Sequence, residues 1–234
     1  MTLLDFEGDY GRNYNDQIRN LIPGYDALFE IASATAAALQ GQARQVLVVG
    51  PGSGTELPGL LSAMPEAELT LVEPSAQMQA ICQALIDRVG IAGRVCWADL
   101  VQLEEATFEV VISHNVLHVL HPSKQQELLE QMARRVASGG CLLLSSYSET
   151  PALNLELGMR IATARFRALG MDETTIDAVF ASRNTKVFSM DPGRLEHALV
   201  QAGMTPPTVL MQALFNHLWV SQRPLLQCEG GGEA

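Results

Sequence analysis

The stretch that most constrains this chain is Val46 to Leu61, VLVVGPGSGTELPGLL. Val46, Leu47, Val48 and Val49 run without alternation into Gly50, Gly52 and Gly54, and a helix-compatible segment follows. An unbroken apolar run reads as a strand buried on both faces, as in the middle of a parallel sheet covered by helices. Glycine at alternate positions just past such a strand lets the backbone turn tightly and bring its N–H groups against a ligand, because no Cβ intervenes. The stretch therefore implies a nucleotide-type site at the carboxyl end of a central strand.

The spacing narrows the ligand. G-x-G-x-G is neither the G-x-G-x-x-G of NAD enzymes nor the G-x-x-x-x-G-K-[ST] of phosphate-binding loops. No Lys follows the glycines, and Glu56 sets a carboxylate where a diphosphate would otherwise rest near a helix N-terminus. The expected ligand is a nucleoside without phosphates. Leu69 to Val72 forms a second buried run ending in Glu73, placed to grip a ribose diol with its two oxygens. The segment WADL then puts Asp99 after a short third strand, within reach of an adenine amino group. Together these make an adenosine site, whose best-known phosphate-free occupant is S-adenosylmethionine (SAM).

Here the chain resembles the class I SAM-dependent methyltransferases. The matching residues are VLVVGPGSG, LVEPS, WADL, FEVVISHNVLHVL and VASGGCLLLSS, five motifs in order between Val46 and Ser146. A narrower likeness, carried by RNLIPGYDALFE, the helical segment after strand five and QALFNHLWVS, is to the small single-domain branch that contains carboxy-SAM synthase.

The resemblance implies a Rossmann-like α/β fold, with a seven-stranded mostly parallel sheet in the order 3-2-1-4-5-7-6 and helices on both faces. Residues 1–40 would be a helical cap over the cofactor and 41–224 the SAM-binding domain. Within that domain 149–190 would be a helical insertion, and 225–234 would be a flexible tail. The implied cofactor contacts are Gly50, Pro51, Gly52, Gly54, Glu73, Pro74, Met78, Ala98, Asp99, Leu100, Ser113 and His114. Tyr14, Tyr25, His114 and Asn115 are the candidate walls of the reaction cavity. Insertions after strand five typically build the acceptor pocket and often a dimer contact, so a homodimer through 149–190 is expected.

Composition sets outer bounds. A chain of 234 residues suffices for one domain with a sizeable core. A hydrophobic content of 47% excludes disorder, and no apolar run approaches the roughly 20 residues of a membrane span. The acidic N-terminus, MTLLDFEGDYGRNYND, lacks the layout of an export signal, so a cytoplasmic protein is expected. Cys82, Cys96, Cys141 and Cys228 have no paired spacing and read as reduced thiols rather than metal ligands. A net charge of −11 without any run of Lys and Arg disfavours nucleic-acid partners.

Along the chain, apolar spacing on either side of Pro23-Gly24 predicts a short helix, a turn and a longer helix. Tyr10, Tyr14, Asn15, Arg19 and Tyr25 are the contact candidates there. Further helices are expected over Glu56 to Met64, Ser75 to Val89 and Ser123 to Ala137, the last ended by Ser138-Gly139-Gly140 before a fifth strand, Cys141 to Ser145. In the insertion one helix should end at Gly170 and a second open on Asp172. A helix over Pro192 to Ala202 then precedes two closing strands, Thr208 to Phe215 and His217 to Ser221, turning at Asn216. His118 is weighed as a packing residue.

Two departures bear on function. The arginine of the carboxy-SAM synthase branch falls on Ala181 here, which argues against a carboxylated cofactor and leaves Arg183 as a substitute. The acidic residue usually found two positions before the first glycine is Val48. Transfer from a sulfonium needs alignment more than acid–base help, so methyl transfer to a small O or N nucleophile in specialised metabolism is the leading reading. Val48 motivates a runner-up, attack of SAM's own α-amino group on its γ-carbon to give azetidine-2-carboxylate and methylthioadenosine. A non-catalytic SAM-binding protein is the third reading, and a NAD dehydrogenase the fourth.

Overall fold

The computed structural model describes residues 4–225. Its strands are β1 (Gln45–Val49), β2 (Glu68–Val72), β3 (Val95–Trp97), β4 (Phe108–His114), β5 (Val136–Tyr147), β6 (Thr208–Ala213) and β7 (Asn216–Gln222). They form one sheet in the order β3-β2-β1-β4-β5-β7-β6, as expected. Strands β1 to β5 pair in parallel, and β7 runs antiparallel to both β5 and β6.

The unbroken apolar run of β1 has a direct cause. Val46 and Val48 enter a core with Leu57, Leu60, Cys82 and Ile86, while Leu47 and Val49 enter another with Leu129, Met132, Leu195 and Leu199. The first layer holds α3 (Tyr25–Gln40), α4 (Leu57–Ala63) and α5 (Ala76–Val89); the second holds α6 (Pro122–Arg134) and α9 (Pro192–Gln201). Strand order reverses between β1 and β4, so a crevice opens beyond their carboxyl ends, where open α/β sheets bind ligands.

Capping chemistry follows the sequence. The Ser75 hydroxyl accepts from the Met78 N–H at 3.2 Å, and the Asp172 carboxylate from the Thr175 N–H at 2.9 Å. The N-terminal region holds α1 (Asp9–Arg12) and α2 (Tyr14–Leu21) before α3, with Gly24 left-handed between α2 and α3. The region between β5 and α9 holds α7 (Leu155–Ala168) and α8 (Glu173–Ala181). Phe166 and Ile176 of these two helices are buried in a small cluster against which Leu21 and Leu214 pack.

Two local expectations need correction. Gly139-Gly140 does not stop a helix. It lies inside β5, which starts at Val136, and the β4–β5 register shifts between Phe108 and Val110. A Cβ on Gly140 would stand 2.7 Å from the Glu109 carbonyl oxygen, so the glycines serve a bulge rather than a cap. The closing hairpin turns at Leu214-Phe215, with Leu214 at φ 54°, while Asn216 already pairs with Tyr147 and Ala213 in β7. Asn216 is recruited by β5, which the hairpin's own sequence does not reveal.

Cys82, Cys96 and Cys141 are free thiols; Cys228 and 226–234 of the expected tail lie outside the described residues. Among the described residues no helix is long and apolar enough to cross a membrane.

Candidate active site

The turn after β1 is built as its glycines require. Gly50 sits at φ 72°, donates its N–H to the Val72 carbonyl at 2.8 Å, and would bring a Cβ within 2.3 Å of a Val116 methyl. Gly54 has a different task, since a Cβ there would meet Cys82 Sγ at 2.7 Å, so it lets α4 pack against α5. Beyond the turn lies a cavity of about 1000 Å³.

Of the predicted cofactor residues, Gly50, Gly52, Glu73, Pro74, Met78, Ala98, Asp99, Leu100 and His114 line this cavity together, as do Tyr14 and Asn115. Pro51, Gly54, Tyr25 and Ser113 do not. Ser113 is fully buried and donates to the Val49 carbonyl at 3.0 Å, pinning β4 to β1. Tyr25 stands behind Tyr14, accepts its hydroxyl hydrogen bond and packs edge-on against Phe29. Sequence reasoning passed over the wall contributed by Asp5, Phe6 and Glu7, and over Val116 and Gln79. The first three carry no motif, and Val116 is marked only by its collision with any residue larger than glycine at position 50.

Glu73 anchors the floor. Its carboxylate accepts from the Gly52 N–H at 3.1 Å and the Ser75 N–H at 3.0 Å, and burial raises its pKa against these bonds. The N–H that would greet a phosphate in a phosphate-binding loop is therefore taken by a carboxylate, which disfavours a diphosphate there. Glu56, expected to repel a diphosphate, does not carry the charge for it. Glu56 is buried at the start of α4, and burial lifts its carboxyl to about 8, leaving it largely protonated at neutral pH. Asp99 accepts the Val101 N–H at 3.0 Å, holding the rim after β3.

The end of β4 carries the unspent hydrogen-bonding capacity. Asn115 is left-handed at φ 60° and is fixed by its N–H to the carbonyl and hydroxyl of Ser145. Its side-chain Oδ1 and Nδ2 are both buried without a partner, as is Nε2 of His114. His114 Nδ1 lies 3.2 Å from the buried Ser145 hydroxyl, which accepts from the Asn115 N–H and is free to give its own proton to that nitrogen. The ring proton then sits on Nε2. Burial pushes His114 down to about 3, so the ring is neutral. Three orphaned polar atoms in one wall cost too much to leave empty and mark where a polar ligand group belongs.

A second cavity of about 490 Å³ adjoins the first across Leu4, which lines both. Its walls come from α2, α7, α8 and the β6–β7 turn, with Ile18, Phe166, Phe180 and Phe215 among them. His118 lines it rather than merely packing. The Tyr147 N–H donates to His118 Nδ1 at 3.3 Å, and burial lowers the ring to about 4, so a neutral ring with its proton on Nε2 results. Arg183 is not a free anion receptor, because it forms two hydrogen bonds to Glu149, whose Oε1 also accepts from the Tyr147 hydroxyl.

Residues 46–140 match the family described as "Methyltransferase domain". The matched segment is less than half of the chain. It spans β1 to the first part of β5 and thus holds the glycine turn, Glu73, Asp99 and the β4 end. Among curated proteins the chain is similar to carboxy-S-adenosyl-L-methionine synthase of Campylobacter jejuni, 23% identical over 142 residues. That alignment takes in 61% of this chain and 60% of the relative, so the chain spans under two thirds of the curated protein's length. The fold is shared with magnesium protoporphyrin IX methyltransferase from Synechocystis, solved with bound SAH, at a TM-score of 0.68 and 16% identity over 94% of this chain and 97% of that one. It is also shared with an O-methyltransferase family protein from Burkholderia thailandensis, at a TM-score of 0.65 and 18% identity over 92% of this chain and 59% of that one.

Proposed function

We propose that this protein is a SAM-dependent methyltransferase that binds SAM in the larger cavity and methylates an O or N nucleophile of a small molecule held in the adjoining one. The observation that carries the reading is the convergence of the Glu73 carboxylate with the unpartnered groups of His114 and Asn115 around one cavity. SAM supplies a methyl group on a sulfonium, which leaves as the neutral thioether SAH when a lone pair of the acceptor takes the methyl carbon.

Each group in the wall fits one part of that molecule. Glu73 keeps lone pairs beyond those used by Gly52 and Ser75, which suits the ribose diol. Met78 and Leu100 offer apolar surface to adenine, with Asp99 at its amino edge. Asn115 supplies one acceptor and two donors, and His114 one donor, the set that a zwitterionic amino-acid end requires. Neither His114 nor His118 serves as a base near neutral pH, since burial holds both rings neutral with the outer nitrogen protonated. Catalysis then rests on orientation and on exclusion of water, with Tyr14 closing the wall from the N-terminal side.

The alternative of SAM cyclisation drew on Val48. That side chain is fully buried in the sheet core and absent from the cavity wall, so no contact of this kind favours it. The reading places the protein in the cytosol and takes Leu157 and Ile161, exposed on α7, as a homodimer face, which sedimentation tests. The deciding experiment incubates the protein with methyl-labelled SAM and a pool of small metabolites, and titrates SAH and NAD separately. Labelled product with SAH binding supports the reading; methylthioadenosine without acceptor, or a response to NAD alone, overturns it.

A further inference from the structure

The smaller cavity has a charge opposite to that of the chain. The protein carries 26 Asp and Glu against 15 Lys and Arg, yet among the described residues no carboxylate lines this cavity while Arg165, Arg183 and Lys186 do. Glu149 neutralises Arg183 from behind the wall. Arg165 has no such partner. Its guanidinium donates to the main-chain carbonyls of Arg19 and Asn20, which fix its position and leave its charge uncompensated, and burial lowers its pKa. Lys186 forms no ion pair among the described residues. Two positive charges thus remain over a surface that is otherwise mostly apolar and aromatic.

Charge of this kind is not explained by stability. Burying part of a guanidinium without a carboxylate costs free energy, and placing a second cation on the same cavity adds repulsion. An acidic chain also gains nothing in solubility from positive charge facing inward. The arrangement is accounted for when the occupant brings the missing negative charge.

We infer that the acceptor is an apolar carboxylic acid, its ring or hydrocarbon against Phe166, Phe180 and Phe215 and its carboxylate held by the charge of Arg165 and Lys186. The His118 Nε2–H, a donor that burial keeps from titrating near neutral pH, adds a hydrogen bond for a second oxygen of the same molecule. This rests on the reading that SAM occupies the larger cavity, and it deepens that reading by naming the acceptor class. It also assigns the two exposed ends of the cavity wall, α7 and the segment after α8, to substrate selection.

The test is binding, independent of turnover. SAH-saturated protein is titrated by calorimetry with 4-hydroxycinnamate, indole-3-acetate and octanoate, and with the primary amide of each. At least one acid should bind tenfold or more tightly than its amide, and the preference should shrink in 0.5 M salt. Lys186→Met, an exposed position, should weaken the acid threefold or more and leave the amide unchanged; Arg165→Met should do the same if it folds, which its SAH affinity reports. The inference is overturned if acids and amides bind alike, if no acid binds at millimolar concentration, if the preference survives both substitutions, or if the acids compete with SAH. Failure of SAH itself to bind would instead strike the underlying reading, so the two failures are distinguishable.

Discussion

The two cavities are made in different ways. The larger is assembled from strand tips, each a few residues beyond a buried run, and its polar groups are aimed by the sheet's own register: Gly50 by Val72 and Asn115 by Ser145. The smaller is assembled from helices and a hairpin turn that arrive from distant parts of the chain, and its polar groups are held by side-chain bridges such as Arg183 to Glu149 and Arg165 to the α2 end. The difference teaches that a site at a sheet switch point inherits rigidity from the core, whereas one under added helices depends on contacts that cover little of the chain.

Four changes would break or sharpen that contrast, beginning with the largest. Gly50→Ala should destabilise the fold by about 2–5 kcal/mol, combining a left-handed backbone with a clash against Val116, and urea unfolding should show it. A near-neutral outcome would mean the turn is not rigid. Glu73→Ala should lower SAH affinity by about a hundredfold to ten-thousandfold by calorimetry, since two charge-assisted hydrogen bonds of about 1.5–3 kcal/mol each are lost. Unchanged affinity would remove the ribose grip from the larger cavity.

Arg183→Gln should cost about 1–2 kcal/mol, less than a fully buried pair because the two side chains keep 30% and 21% of their exposure, and SAH affinity should change little. A large loss of SAH binding would show that the two cavities are not energetically separate. The last effect is a slope, small at any one step of pH. Between pH 4.5 and about 8 the folded chain keeps a proton on Glu56 that the unfolded chain releases, so stability should fall as pH rises through that window, by at most about 1.4 kcal/mol per unit. Thermal unfolding of Glu56→Gln should lose this slope. The buried rings of His114 and His118 act on the other side, withdrawing stability as pH drops below 6.5.

Sequence legibility follows the same division. The larger cavity could be read because each of its members belongs to a short motif whose geometry is local: a strand, a glycine turn, an acid at a strand tip. Tyr25 and Ser113 were misplaced by one layer, since a motif tells that a residue is near the site but not which way packing turns it. Gly139-Gly140 was misread for a related reason, because glycine suits a helix stop and a strand bulge equally and only the Phe108–Val136 pairing chooses. The smaller cavity left a faint trace, arginines scattered through the insertion at 160, 165, 167 and 183, and nothing in their spacing distinguishes Arg165, aimed inward, from Arg167, paired with Glu173 at the surface.

The amino-acid sequence alone determined the buried strands and the strip of residues that surrounds the larger cavity, because buried runs, glycine turns and terminal acids act over a few neighbouring positions; the strand order is what the family resemblance carried by those motifs implies. Tertiary structure alone decided where the β6–β7 turn falls, which of the expected residues reach the cavity, and that two uncompensated cations share one apolar chamber. Those outcomes depend on partners brought together by packing, such as Tyr147 with Asn216 and Arg165 with Asn20, and no local pattern encodes a meeting made only by the folded chain.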